Sequence, residues 1–229
     1  HNWVLDTGER VKTKNLKKNN KINFTSYNRP TYNSIDYDLG LMHGLIYGDG
    51  TATRTQERVK GYHIRLCCDQ DVLLPLFKGA PTTYPPSAGG DPVVMLYNDF
   101  SATHSLKTLP SFDETDDYLV GFFRGWLAAD GSVPKDTGQV ILCCSEQEMK
   151  WCKKTLSKVG YVFGNWNRLP RKTNFGIRNK EVGNLLVQRQ ALTEEDIIIP
   201  RKLQNLKKID TKWEYRGIDE TLGIIEEEV

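Results

Sequence analysis

Two carboxylates occupy matching places in this sequence of 229 residues. Asp49 closes the stretch LGLMHGLIYGDGT and Asp130 closes VGFFRGWLAADGS, and each is followed by a glycine, Gly50 or Gly131. An aspartate at the C-terminal end of a helix opposes the helix dipole, at about 0.3–1 kcal/mol. Two such aspartates brought together also repel each other. A divalent cation removes both penalties, and hard carboxylate oxygens select Mg²⁺, Mn²⁺ or Ca²⁺. One Asp-Gly alone reads as a helix-end cap or a turn former. Two at equivalent points of a repeat read as a metal site.

The repeat follows from aligning the two aspartates. Gly40 falls over Gly121, Gly44 over Gly125 and Gly48 over Ala129, and downstream IRLCCDQD matches VILCCSEQ. A glycine inside a helix costs roughly 0.5–1 kcal/mol against alanine, so a stripe of them needs an offsetting contact. Small residues spaced four apart let another helix approach closely. These helices are too short and too polar to span a bilayer. The partner that fits is the other copy's helix, stripe against stripe about an approximate two-fold axis, which would place Asp49 and Asp130 side by side.

Each copy predicts the unit α-β-β-α-β-β-α. Acids open the first helix (Asp36 and Asp38; Asp116 and Asp117) and a glycine follows its end. Strand pairs are expected at Thr51–Arg58 with Gly61–Cys68 and at Ser132–Lys135 with Gln139–Cys144. Asp69 and Ser145 are expected to cap second helices, Ser145 with Glu148 as a capping box. Further strands are expected at Pro92–Tyr97, Tyr161–Asn167 and Thr173–Arg178, and weaker helical pieces at ATHSLK and EVGNLLVQ. The fold class is therefore α+β, with a basic flank at 1–33, a first repeat with its linker at 34–112, a second repeat at 113–206 and a C-terminal flank at 207–229.

Lys and Arg number 31 and Asp and Glu 29, a net charge of +2, so the bulk balance says little. The distribution says more: residues 150–180 hold nine Lys or Arg and no acid, interleaved with Tyr161, Phe163, Trp166 and Phe175. That pattern suits a polyanion surface. The five cysteines are read as reduced, buried thiols, since four sit in adjacent pairs and no CxxC spacing occurs. No stretch has the length and apolarity of a membrane span and no signal-peptide layout opens the chain, so a soluble intracellular protein is expected. His1 in place of a Met predicts a processed or trimmed chain.

MHGLIYGDG (Met42–Gly50) and FRGWLAADG (Phe123–Gly131) resemble the two motifs of the LAGLIDADG homing endonucleases in their single-chain form, over about residues 34–206. The sixth motif position, acidic in the family name, is Tyr47 and Ala128 here. The resemblance implies two pseudo-symmetric units packed through their motif helices, with antiparallel sheets forming a saddle over double-stranded DNA, and a monomer that reads a long asymmetric site. It implies that Asp49 and Asp130 hold Mg²⁺, with Mn²⁺ as a substitute and Ca²⁺ binding without cleavage, assisted by the carbonyls of Gly48 and Ala129. Both strands would be hydrolysed to leave short 3′ overhangs. A basic helper per half is implied: Lys107 in KTLP for the first, while the second has Ile197 in the matching register and only Lys202 nearby. Polar strand residues supply the expected DNA face: Arg54, Arg58, Lys60, His63 and Arg65 in the first copy, and Lys135, Gln139, Arg168, Arg171, Lys172, Asn174 and Arg178 in the second.

The flanks WVLDTGERVKTKNLKKNNKI and WEYRGIDETLGIIEEEV resemble strand patterns of intein splicing domains, although the splicing residues are not where they should be; the other reading is basic arms that grip flanking DNA. GLIYG resembles the GIY-YIG nucleases, but no second half of that motif follows. No nucleotide-binding glycine motif occurs. Two rivals share the fold: a DNA-binding regulator that has lost cleavage, against which both retained aspartates argue, and an RNA maturase.

Overall fold

Ser34 and Thr115 start the two helices that organise the molecule. Each is an extended N-cap whose hydroxyl accepts a backbone N–H three residues on, from Tyr37 or Tyr118. In this computed structural model, which describes residues 2–4, 10–15, 17, 34–54, 59–77, 80–97, 105–170, 172–173, 176–177 and 181–207, a hairpin of β1 (Asn2–Val4) and β2 (Arg10–Lys12) precedes α1 (Ile35–Asp49). Then come β3 (Thr51–Arg54), β4 (Val59–Arg65), α2 (Gln70–Leu73), β5 (Thr82–Thr83) and β6 (Val93–Tyr97). The second repeat runs α3 (Asp116–Asp130), β7 (Gly131–Ser132), β8 (Val140–Cys144), α4 (Glu146–Thr155), β9 (Phe163–Arg168), a short hairpin β10 (Lys172–Thr173) and β11 (Gly176–Ile177), β12 (Gly183–Val187) and α5 (Pro200–Lys207).

The two antiparallel four-stranded sheets have equivalent orders, β3-β4-β6-β5 and β7-β8-β12-β9. One face of each covers its own core. Tyr62, Ile64, Val94 and Leu96 pack on Met42, Leu45 and Ile46 of α1, and Val140, Leu142, Leu185 and Val187 pack with Leu119, Phe123, Trp126 and Leu127 of α3.

The stripes meet as the spacing predicts. A Cβ on Gly40 would stand 2.1 Å from the carbonyl oxygen of Tyr118, and one on Gly121 would stand 2.2 Å from that of Tyr37. Gly44 against Phe122 (2.0 Å) and Gly125 against Leu41 (2.2 Å) repeat the arrangement one turn on. At the far end Gly48 lies against the Ala129 methyl. At the near end the N-caps cross the axis: the Ser34 hydroxyl donates to Asp117, and the Thr115 hydroxyl donates to Asp36 at 2.9 Å.

Several expected elements differ. EVGNLLVQ is not helical: β12 lies between β8 and β9, with Gly183, Leu185 and Val187 facing the core. Its period-two burial in a sheet overrides the helix preference of its leucines. ATHSLK falls mainly outside the described residues, and from Ser105 to Thr115 the chain forms turns. Asp69 is the N-cap residue of α2, as expected, but its side chain makes no capping bond: it sits left-handed at φ 55° and its carboxylate accepts from Arg201 Nε at 3.0 Å. Ser145 and Glu148 do form the capping box. Cys144 and Cys152 are buried, but Cys67, Cys68 and Cys143 are exposed, and all five are free thiols. Among the described residues no helix is long and apolar enough to cross a membrane.

Candidate functional site

The last turn of a helix leaves carbonyls without partners, and a lysine fills that need at each motif helix. Lys107 Nζ donates to the carbonyls of Ile46 (3.0 Å), Tyr47 (2.5 Å) and Gly50 (2.9 Å). Lys202 Nζ donates to those of Leu127 (3.0 Å) and Ala128 (2.8 Å), the residues equivalent to Ile46 and Tyr47. By the groups they hold, Lys202 is therefore the counterpart of Lys107. Ile197, in the sequence register of Lys107, is buried in the second core instead. The two lysines escape alignment because Lys107 sits in a turn and Lys202 on α5, at different distances from their aspartates. Each ammonium also supplies the cation that a helix C-terminus favours.

Asp49 and Asp130 end α1 and α3 within reach of those ammoniums. The Asp130 carboxylate lies beside Gly48, 3.2 Å from where a Cβ would stand, which puts it at the end of the partner helix. Both carboxyls touch solvent yet are crowded enough to hold their protons more tightly than usual. For Asp49 burial raises the pKa against the pull of Lys202 and then Lys107. For Asp130 burial again leads; the hydrogen bond from Trp126 Nε1 (3.0 Å) opposes it, the negative charge of Asp49 adds to it, Lys107 opposes and Glu148 adds. The two carboxylates thus feel each other, as two acids sharing a site do. Crowding pushes Lys202 down to about 8, helped by Arg201 and resisted by Asp49, Asp69 and Asp130 in that order.

A divalent ion fits this donor set. Two solvent-touching carboxylates with raised proton affinity, one of them raised in part by the charge of the other, stand at helix ends and offer hard oxygen ligands. Among the described residues no group of three or more His, Cys, Asp or Glu could hold a metal.

The surroundings of the two aspartates are unequal. Trp126 holds Asp130, while Leu45 occupies the equivalent position beside Asp49. The Tyr47 hydroxyl donates to Glu148 across the seam, where the second copy has Ala128. Burial first, then that bond to Glu148, drives the Tyr47 pKa far up, so the phenol keeps its proton. Glu148 is a site neighbour that sequence reading placed only in the capping box; nothing in the spacing links it to Tyr47, 101 residues away.

The outer sheet faces sort the expected DNA residues. On β4 the core side belongs to Tyr62 and Ile64, so His63 and Arg65 lie on the outer face; Thr51, paired with His63, shares it. Lys60 has the parity of the core face at the strand's exposed start. Arg54 lies on β3, and Arg58 lies outside the described residues. Lys135 and Gln139 are exposed in the β7–β8 connection rather than on strands. Arg168 is engaged by Glu181, Nη2 to Oε2 and Nε to Oε1 both at 2.7 Å, which neutralises it. Lys172 lies on β10, while Arg171, Asn174 and Arg178 lie outside the described residues. Asn167 and Asn184 face each other across β9 and β12 on the outer face, and Asn165 is exposed nearby. The expected DNA face included Gln139 and Asn174 but not these three amides; the polar alternation NWN in GNWNR is the signal that finds two of them.

No protein-family model and no curated protein matches the sequence. Solved structures do. The homing endonuclease I-DmoI in complex with DNA and Ca is 10% identical, aligned over 84% of this chain and 98% of its own, with a TM-score of 0.45. A structure of its mesophilic variants gives 10% identity, 77% and 97% coverage and a TM-score of 0.48. The N-terminal LAGLIDADG domain of WhiA gives 15% identity, 85% and 91% coverage and a TM-score of 0.43. Two tandem motifs, a glycine stripe packed against its own pseudo-two-fold copy and one four-stranded antiparallel sheet per copy give this chain the LAGLIDADG fold.

Proposed function

We propose that the chain is a site-specific double-strand DNA endonuclease that hydrolyses both strands with divalent metal, reads a long asymmetric site as a monomer and leaves short 3′ overhangs. The observation that carries this reading is the convergence of Asp49 and Asp130 on one seam, each at a helix end whose carbonyls are held by a lysine. A regulator or RNA maturase built on this fold has no use for two carboxylates crowded at one seam, where the charge of Asp49 raises the proton affinity of Asp130.

Mg²⁺ bound there would supply Lewis-acid stabilisation of the phosphoryl charge and of the leaving oxygen. Asp49 and Asp130, with the carbonyls of Gly48 and Ala129, would hold it. The chain's own part is to fix the carboxylates rigidly: the stripe leaves no room for the helices to slide, and Trp126 orients one Asp130 oxygen. Lys107 and Lys202 place positive charge beside the reacting phosphate, where it polarises the attacking water or the developing charge. His63, Arg65, Asn165, Asn167 and Asn184 present donors and acceptors on the outer sheet faces. A two-stranded ribbon fits the major groove, where Asn reads adenine and Arg reads guanine. The flanks are read as remnants of an intein from which the nuclease came.

The test is incubation of the purified chain with a randomised DNA library and Mg²⁺. Staggered cuts at one long sequence, absent with chelator and absent in Asp49→Asn, support the nuclease. Tight metal-independent binding without cutting supports the regulator, and selective binding of structured RNA the maturase. Binding should weaken steeply with salt as phosphate contacts release counterions.

A further inference from the structure

His43 and Arg124 occupy the same slot, the second position of each motif, six residues before the aspartate. The slot is buried, with the residues 1% and 3% exposed. Polar groups there cost desolvation that an apolar side chain avoids, so each should have a specific partner. Each bonds in two directions, toward the opposite helix and toward the segment that carries the lysine of its own repeat. Toward the opposite helix, His43 Nδ1 meets the Tyr118 hydroxyl at 2.8 Å, and Arg124 Nη1 donates to the Tyr37 hydroxyl at 3.2 Å; the two tyrosines are themselves equivalent. Away from the seam, His43 Nε2 lies 2.9 Å from the carbonyl of Thr108, the residue after Lys107. A carbonyl only accepts, so Nε2 carries the proton and Nδ1 accepts from Tyr118. Arg124 Nε donates to Asp196 Oδ1 at 2.9 Å and Nη2 reaches Glu195 Oε2 at 3.4 Å. Asp196 is fully buried and also accepts from Tyr161 (2.8 Å) and from the Thr193 backbone (2.7 Å), which fixes the segment that leads through Ile197 and Ile199 into α5 and Lys202.

We propose that His43 and Arg124 are positioning residues, each of which ties the lysine-bearing segment of its own repeat to the helix seam, so that Lys107 and Lys202 arrive on the carbonyls beside the aspartates. A free lysine side chain samples many rotamers, and anchoring the adjacent backbone removes much of the freedom that would scatter it. Two chemically different groups each bond the equivalent tyrosine of the opposite helix and the segment that leads to the lysine of their own repeat. The proposal rests on the nuclease reading only for its consequence, the placing of two helper lysines; the anchoring itself can be measured without cleavage.

The experiment is trace acetylation of the native protein, without DNA or metal, followed by lysine-resolved mass spectrometry. Hydrogen bonds to a charged group are each worth about a tenfold change, so His43→Ala should raise the reactivity of Lys107 about tenfold and leave Lys202 as in wild type. His43→Gln, which keeps a donor for the Thr108 carbonyl, should restore protection. Arg124→Met combined with Asp196→Asn should expose Lys202 and leave Lys107 protected. Should His43→Ala fail to fold, Tyr118→Phe removes only the hydroxyl that orients the imidazole and should give a smaller rise at Lys107 alone. Unchanged labelling, or an equal rise at both lysines, overturns the proposal. In cleavage assays His43→Ala should show the strand bias of Lys107→Met and add nothing to it in the double variant; an additive loss on both strands overturns it too. A wild-type chain that shows the labelling pattern but does not cut refutes the nuclease reading and leaves the anchoring intact.

Discussion

At their capped ends α1 and α3 are interchangeable; at their aspartate ends they are not. Ser34 and Thr115 cap alike and reach alike across the axis, and the glycine contacts repeat within 0.2 Å from one copy to the other. Around the aspartates the backbone partners of the two lysines still match, but Asp130 has Trp126 and Glu148 as neighbours, while Asp49 lies under the stronger influence of Lys202. Symmetry here is a property of the frame, which packing enforces because sub-ångström misfits in a close-packed seam are costly. The chemistry is set by side chains that the frame does not constrain. Two cuts made on such a frame need not be equal in rate, pH dependence or metal requirement.

The largest effect should come from the aspartates, and it should respect the frame. If the two aspartates share a divalent ion as proposed, Asp49→Asn and Asp130→Asn should each lower cutting of both strands by about 10³-fold or more, given the several kcal/mol that a metal supplies. Strand-resolved gels on a labelled target show whether one variant spares a strand. The lysines should break the symmetry instead. Lys107→Met and Lys202→Met should each slow one strand by about 10², the loss that follows removal of one preorganised charge donor, and they should slow opposite strands. Equal loss on both strands from either variant would make the two lysines parts of one centre.

The stripe tests the frame directly. Gly44→Ala drives a methyl into the Phe122 carbonyl and should cost about 1–3 kcal/mol or more in urea unfolding. Gly48→Ala sets its methyl 2.5 Å from the Ala129 Cβ, which cannot swing aside, and 3.2 Å from an Asp130 carboxylate oxygen, so it should also destabilise the chain and displace that carboxylate. The smallest effect is a titration. Lys202 loses its proton near pH 8 in the folded chain and near the ordinary 10.5 when unfolded. Between those values the unfolded state binds more protons, so stability should rise with pH across that window. The urea midpoint measured at pH 7.5, 9 and 10 should climb in wild type more than in Lys202→Met.

The frame was legible in the sequence because a repeat doubles every signal. One Gly-x-x-x-Gly or one Asp-Gly is ambiguous, whereas the same pair at Gly40, Gly44, Asp49 and at Gly121, Gly125, Asp130 fixes a helix, its face and its partner. What broke the repeat was harder to read. Lys202 matched nothing in the first copy because it comes from a helix where Lys107 comes from a turn, and only the carbonyls they hold reveal the equivalence. EVGNLLVQ has the composition of a helix and became a central strand because the sheet needed a buried partner between β8 and β9. Glu148 meets Tyr47, 101 residues away in sequence, and local pattern holds no record of that contact, whereas the asparagines of β9 stand in the alternation NWN.

The claim on which the rest depends is that Asp49 and Asp130 share a divalent ion. Anomalous scattering from Mn²⁺ in crystals of the chain with its cleaved DNA measures that directly. The account predicts an anomalous peak bound by carboxylate oxygens of both aspartates and by DNA phosphate oxygens, lost in Asp130→Asn. Mn²⁺ bound elsewhere on the protein, or touching neither carboxylate, would contradict it.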